Sequence, residues 1–402
     1  MHQSLFRSIA LYVALFLLPS ATKAEEPYTL AEDSSNFVIA SLVTATASDV
    51  IYSSMGHCAL RLQCPSESLD FCFSLEMEAL PGDYAKFFSG EMKAAVVAVP
   101  TEEFLAAYRE EGRGVTQHEL NLTLHEKQQL WRLLDEELVK PPHLTFNFLN
   151  TNCVMMSMVM TEQCLIDEHI DFGEMPAAMH LNNGDLIRYH SQDTPWAQFL
   201  YITLSGAACD KFYDTEYRLS PKMIVEVLDK ASIVSDSTSR PVFTGIHKQL
   251  IAPTHQPQPN WLTPTRLFLL LLLITIAITL LEYTGRGKAI AKYLDITLLS
   301  FQTLAGVLLL YTSTVANLFG SHWNWYLIPF NPLPIVLWLC FHNAGWFKHV
   351  YLFYSIVLLL FILFTPFSSQ LDLPHQLLTA TMAVRTLSHA MSVRRKKQNA
   401  KK

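Results

Sequence analysis

Leu267–Leu281 is an almost unbroken run of apolar side chains, preceded by Trp261 and followed by Tyr283. A run of that kind suits a membrane-spanning helix, and aromatic residues at its ends suit the two interfaces. Four further segments share the character: about Leu294–Tyr311, Trp325–Phe341, Val350–Phe367 and Leu373–Met391. The last is the most polar, because it carries His375, Arg385 and His389. Loop charge then sets the count. With the N-terminal part outside, Arg286, Lys288, Lys292 and Lys348 fall inside, and so does the tail Arg394-Arg395-Lys396-Lys397. The loop after the second segment and the loop Ser368–Asp372 carry no Lys or Arg and fall outside. Five spans satisfy the positive-inside rule in every loop between helices, with Arg266 alone against it, whereas four would place the basic tail outside.

Two polar features interrupt this apolar third. Ser321-His322-Trp323-Asn324-Trp325, followed by Pro329, Asn331, Pro332 and Pro334, reads either as an aromatic belt with a proline-kinked helix or as a small polar pocket facing the soluble part. Arg385 is expected to snorkel to the inner headgroups. No acidic residue is expected deep in a span, which argues against proton-coupled transport.

Charge divides the chain. Between Glu25 and Leu262 there are 15 Lys+Arg against 33 Asp+Glu, and from Thr263 onward 12 against 3. An acidic soluble part argues against nucleic acid as a partner, since phosphates need a cationic face. The N-terminus has the form of a signal peptide, residues 1–24. Arg7 supplies the positive end, Ile9–Leu18 the apolar core, and Thr22-Lys23-Ala24 a small-residue cleavage site. The expected layout is a periplasmic domain over 25–232, a Ser/Pro-rich linker over 233–263, a transmembrane domain over 264–393 and a cytoplasmic tail over 394–402. The lipid bilayer is thereby a partner, and a bacterial inner membrane is the expected location.

The periplasmic part reads as α+β. Met55–Leu62 alternates as a strand, and Leu69–Leu75 can pair back on it as a hairpin after Cys64-Pro65-Ser66-Glu67. Lys93–Val99 and Val115–Leu122 are further strands. Thr123-Leu124-His125-Glu126 is a capping box that opens a helix to about Val139, where Pro141-Pro142 stops it. Asn150-Thr151-Asn152 leads into another helix, which begins at Cys153.

A cysteine in the first turn of a helix meets unpaired amides and the positive dipole end, both of which favour the thiolate. His57, on the first strand, is the candidate base, and Asp70, on the second, is the candidate to orient its imidazole. Cys58 is expected on the opposite face of that strand from His57. Six cysteines, at 58, 64, 72, 153, 164 and 209, lie in the exported part, where an even count suggests disulfides. Their pairing stays open. The Met155, Met156, Met158 and Met160 cluster reads as core. The residues call for no cofactor and no metal.

MGHCALRL (Met55–Leu62), GRGV through LNLT (Gly112–Thr123) and FNFLNTNC (Phe146–Cys153) resemble the signature of the Lnb N-terminal periplasmic domain family, common in Bacteroidota. Pro195-Trp196, Gly206, Asp210 and Pro221 resemble its C-terminal part, and the apolar third resembles the five-helix domain often fused to it. The resemblance implies a permuted papain-like periplasmic domain followed by a five-helix bundle, with Cys153 as nucleophile and His57 as base. The family continues after the cysteine with threonines and arginine, whereas Val154, Met155 and Met156 stand here. Two functions follow from different classes: a thiol hydrolase or acyltransferase acting on an envelope amide, peptide or acyl group, and a non-catalytic accessory protein that helps another exported protein mature.

Overall fold

The computed structural model describes residues 38–48, 53–77, 86, 89–148, 151–173, 181–212, 220–254, 261–316, 323–341 and 346–399. The expected signal peptide lies outside the described residues. The strands are β1 (Ile39–Ala45), β2 (His57–Cys64), β3 (Leu69–Met77), β4 (Lys93–Pro100), β5 (Val115–Leu120), β6 (Leu144–Thr145), β7 (His169–Asp171), β8 (Ser232–Val234), β9 (Ser239–Pro241) and β10 (Phe243–Ile251). Seven of them form one antiparallel sheet in the order β10-β5-β1-β2-β3-β4-β6, and β7-β8-β9 form a small second sheet.

The β2–β3 hairpin is closed by a short 3-10 turn over Pro65–Glu67, and Ser68 follows at φ 57. That turn pairs Cys64 with Leu69, and the register then runs through Gln63↔Asp70 and Arg61↔Cys72 to Ala59↔Ser74. Side chains alternate along β2, so His57, Ala59 and Arg61 share one face, and Cys58, Leu60 and Leu62 the other.

Helices cover both faces. On one side lies α1 (Thr101–Glu110), whose Phe104 and Leu105 pack with Val43, Ala59, Cys72 and Val115. On the other are α2 (Leu124–Leu138) and α3 (Cys153–Gln163). Val154, Met156 and Met158 of α3 bury against Cys58, Leu60 and Leu62. The capping box is present: Thr123 Oγ1 accepts from the Glu126 amide at 3.3 Å, and Glu126 Oε2 accepts from the Thr123 amide at 2.7 Å. Three short helices follow, α4 (Asn183–His190), α5 (Pro195–Ser205) and α6 (Pro221–Leu228).

The expected linker over 233–263 requires correction. Its Ser-rich start is a tight turn, in which the Ser235 amide donates to the Thr238 carbonyl at 2.9 Å, joining β8 to β9. β10 is an edge strand of the main sheet beside β5. An edge strand with most side chains in water lacks an apolar signature, which is why its composition resembles loose chain. Arg240 of β9 ties this segment down, donating to Glu126 at 2.7 Å and to Glu168 at 2.8 Å.

The disulfides suggested by the cysteine count also require correction, because all seven cysteines are free thiols. Cys58 and Cys64 share a face of β2, but six strand residues separate them by roughly 20 Å. Cys72, paired with Arg61, faces the other side of the sheet. Neither geometry allows a bridge.

The C-terminal third contains α7 (Pro264–Tyr283), α8 (Lys288–Thr314), α9 (Leu333–Phe341), α10 (Phe347–Phe364) and α11 (Leu373–Asn399). Among the described residues three helices are long and apolar enough to cross a membrane, at Pro264–Tyr283, Lys288–Thr314 and His349–Phe367. α11 packs along both α7 and α10. Its polar side chains His375, Thr379, Thr381, Arg385 and Ser388 are buried by protein, which accounts for its weak apolar signal.

Arg385 does not snorkel. Its guanidinium meets Asp295 of α8 at 2.6 and 2.9 Å and Glu282 at the end of α7 at 3.0 Å, and His389 meets the same Asp295 at 2.9 Å. Asp295 stands near the start of α8, half-buried against α11. A cation with two carboxylates in reach is held more firmly inside protein than at an interface.

The segment expected as one helix over Trp325–Phe341 is broken into a 3-10 turn, Trp325–Leu327, and α9. Non-helical backbone inside a membrane needs partners. Here Gln302 donates to the Asn331 carbonyl at 3.2 Å, and Tyr354 to the Pro329 carbonyl at 2.7 Å. Gly306 of α8 makes the approach possible, since a Cβ there would overlap the Phe330 carbonyl oxygen.

The exported domain is seated on the end of this bundle. Asn324 donates to the Thr203 carbonyl at 2.6 Å, the Ala207 amide to the Trp323 carbonyl at 2.8 Å, and the Ser369 amide to Asp210 at 2.6 Å. His375 is stacked between Tyr326 and Phe199, with ring centroids at 3.8 and 4.3 Å, and its Nε2 meets Thr203 Oγ1 at 2.7 Å. The polar residues around Asn324 therefore join the two parts of the chain.

Candidate active site

Cys153 is the first residue of α3, and the segment before it is held from both sides. Asn147 and Thr151 exchange backbone hydrogen bonds at 3.0 and 2.9 Å. Asn152 Oδ1 accepts from the Met155 amide at 2.9 Å, and its Nδ2 donates to the Phe148 carbonyl at 2.9 Å. The capping Asn thus satisfies one first-turn amide. The amides of Cys153 and Val154 sit at N1 and N2, where a helix offers no internal acceptor.

His57 opens β2 directly after Gly56. That glycine has φ +92°, and a Cβ on it would stand 2.7 Å from the Ala45 carbonyl oxygen. Only glycine lets the chain turn this tightly into the strand. The imidazole is mostly buried, 16% exposed, near the rings of Tyr108 and Phe104 at 6.3 and 6.5 Å.

The two residues meet at this end of the sheet. The Cys153 thiol faces the His57 imidazole closely enough for their charges to act on each other, and the Cys58 backbone also acts on the thiol. Burial opposes the thiolate, but the His57 charge and hydrogen bond, with the Cys58 amide, hold the thiol below its usual pKa. Burial likewise opposes the imidazolium, yet the facing thiolate and Glu76 raise the His57 pKa.

The far side of the ring is fixed by a short relay. His57 Nε2 lies 2.6 Å from Ser74 Oγ, and Ser74 donates its one hydroxyl proton to Glu76 Oε1 at 2.7 Å. Ser74 therefore accepts from His57, so Nε2 carries the ring proton and the Nδ1 lone pair is left for the thiol.

Asp70 does not fill the orienting role expected of it. The hairpin register places it opposite Gln63, six strand residues from His57, or roughly 20 Å away. Its carboxylate instead accepts from Arg61 at 2.8 and 2.6 Å and from Thr101 at 2.6 Å. Continuing the same register past Ala59↔Ser74 brings Glu76 across from His57, 3.7 Å away. Ser74 and Glu76 are the residues that pattern reading missed, and the signal was the turn that pins the register. Arg113, from the GRGV segment, donates to the Thr46 carbonyl at 2.7 Å and stands 4.7 Å over the Tyr108 ring.

Cys58 lies on the core face of β2, where its thiol meets Ser157 Oγ at 3.5 Å, and burial drives its pKa up. Burial also pushes Cys72 up to about 11, and Cys164 and Cys209 up to about 12. Among these thiols only Cys153 shifts toward the thiolate. No group of three or more metal-ligating side chains occurs among the described residues.

A sheet domain seated on long apolar helices defines a membrane-anchored envelope protein with an exported N-terminal domain. A model of the Lnb N-terminal periplasmic domain matches residues 25–188, and one of the Lnb transmembrane domain matches residues 256–397. The two matches follow one another along the chain, so its two parts are similar to these two domains in order. No curated protein and no solved structure matches it.

Proposed function

We propose that the exported domain is a thiol hydrolase or acyltransferase with a permuted papain-like arrangement, acting on an amide, peptide or acyl group of the envelope. The observation that carries this reading is the juxtaposition of Cys153, at the start of α3, with His57, whose ring is backed by Ser74 and Glu76. In the first half-reaction the Cys153 thiolate attacks the substrate carbonyl carbon. The oxyanion forms within reach of the N1 amide of α3. His57 then gives its proton to the departing amine or alkoxide as the carbon–heteroatom bond breaks, leaving a thioester. Water or an acceptor nucleophile attacks that thioester, losing its proton to His57 and releasing the thiol.

A substrate whose acyl group remains on Cys153 in a His57→Ala variant tests the reading. Intact-mass measurement, with an activated ester whose leaving group needs no proton, should find the acyl adduct on His57→Ala and none on Cys153→Ala. An adduct on neither, together with full complementation by Cys153→Ala, favours the accessory-protein reading. The replacement of threonines and arginine by Val154, Met155 and Met156 supports that second reading, since Val154 and Met156 are buried and offer the substrate no polar contact.

The membrane part is read as five spans, entered after a signal peptide over residues 1–24, with the C-terminus in the cytoplasm of a bacterial inner membrane. The basic loops carry this. A reporter fused after Lys402 should be active only as a cytoplasmic fusion, and one inserted at Pro257 only as a periplasmic one. The same side for both would remove one span from the count.

A further inference from the structure

We infer that the membrane domain holds an anionic phospholipid in a cavity among α8, α9, α10 and α11, at the end of the bundle remote from the exported domain. The cavity has a volume of about 780 Å³, within the range of about 300–1,000 Å³ usual for small-ligand sites. Lys288 and Lys292 stand at one end of its lining, with Arg385 and His389 further in. Glu282 and Asp295 also line it, but both are engaged by Arg385. Arg385 offsets one of these carboxylates, so Lys288, Lys292 and Arg385 against Glu282 and Asp295 leave the lining a net charge of +1 with His389 neutral. The rest of the wall is apolar, with Leu337, Trp338, Phe353 and Val357 among it. Such walls suit an acyl chain, and they offer nothing to a free inorganic anion.

Position argues for the leaflet. His375 sits at the seam with the exported domain, and Arg385 and His389 follow ten and fourteen residues later on the same helix. At 1.5 Å per residue they lie roughly 15 and 21 Å further along the bundle. α11 then continues through Arg394-Arg395-Lys396-Lys397, a basic sequence of the kind that attracts anionic lipid.

The test uses the full chain in detergent, offered phosphatidylglycerol and phosphatidylcholine in equal amounts, with retained lipid read by native mass spectrometry. The wild type should retain phosphatidylglycerol preferentially. Lys288→Gln with Lys292→Gln should reduce that preference by roughly thirtyfold, the effect of two cations near an anionic lipid. Val357→Trp, which fills the cavity without touching charge, should also abolish retention, and thus separates the cavity from binding to the basic tail. Equal retention of the two lipids by the wild type would overturn the proposal. So would unchanged retention in the Trp variant, or displacement of the lipid by glycerol phosphate alone, which would mark a site for the free anion.

Discussion

At about pH 6.5 an iodoacetamide probe should label Cys153 at least tenfold faster than the other five cysteines of the exported domain. An ordinary thiol with a pKa of about 8.5 is only about 1% thiolate there. Burial raises Cys58, Cys72, Cys164 and Cys209 further still, and so suppresses them. Cys153 moves the other way, because His57 and the Cys58 amide stabilise its charged form more than burial opposes it. The sign follows directly. A lowered thiol pKa keeps the nucleophile ionised as pH falls, so the acid limb of the labelling profile lies below that of a free thiol. His57→Ala removes both the facing charge and its hydrogen bond, and should move that limb to higher pH. Catalytic turnover, which also needs the proton shuttle, should fall by roughly 10²–10⁴-fold in the same variant. A Cys153 that labels no faster than its neighbours, in a protein whose melting temperature is unchanged, would remove the basis of the thiol-enzyme reading.

Arg385→Ala should lower the apparent melting temperature of the full chain in detergent by roughly 10 °C. The guanidinium is 4% exposed and serves Asp295, Glu282 and Thr279 at once. Removing it leaves Asp295 and Glu282, both partly exposed, without their shared cation, a loss of about 3 kcal/mol at the low end for a broken buried pair. Asp295→Asn in the same chain should recover part of the loss, because the remaining cost is chiefly the unpaired charge. An Arg385→Ala protein as heat-stable as the wild type would return this residue to the headgroup role its sequence position suggested. α11 would then need another reason for its polarity.

Local signals carried much of the fold. Alternation announced β2 and β3, and the capping box, Asn152 and Pro141-Pro142 announced the limits of α2 and the start of α3. Those signals survive because each is a short-range interaction, complete within four or five residues. β1 escaped for the opposite reason. It lies inside the sheet between β5 and β2 and is mostly buried on both faces, so it shows no alternation to count. β10 escaped because an edge strand with most of both side-chain rows in water looks like loop. In the membrane part the long apolar helices were evident from composition. The broken segment at Pro329–Pro332 was visible as prolines, but the partners that satisfy it, Gln302 and Tyr354, come from two other helices.

The candidate site divides along the same line. Residue chemistry alone nominated Cys153, because a helix end acts on its own first residue, and nominated His57 as the nearest strand-borne base. The acid that backs His57 depended on the hairpin register. Asp70 and Glu76 both lie on the correct face, and only the turn at Pro65–Glu67 decides which of them stands across from position 57. Arg385 is the membrane counterpart. Its charge was plain in the sequence, while its partners Asp295 and Glu282 lie 90 and 103 residues away. By itself, then, the sequence determined the apolar helices and the placing of Cys153 at a helix start, both set by neighbours along the chain. The tertiary structure alone decided which side chains meet, because register and helix packing bring together residues that are far apart in sequence.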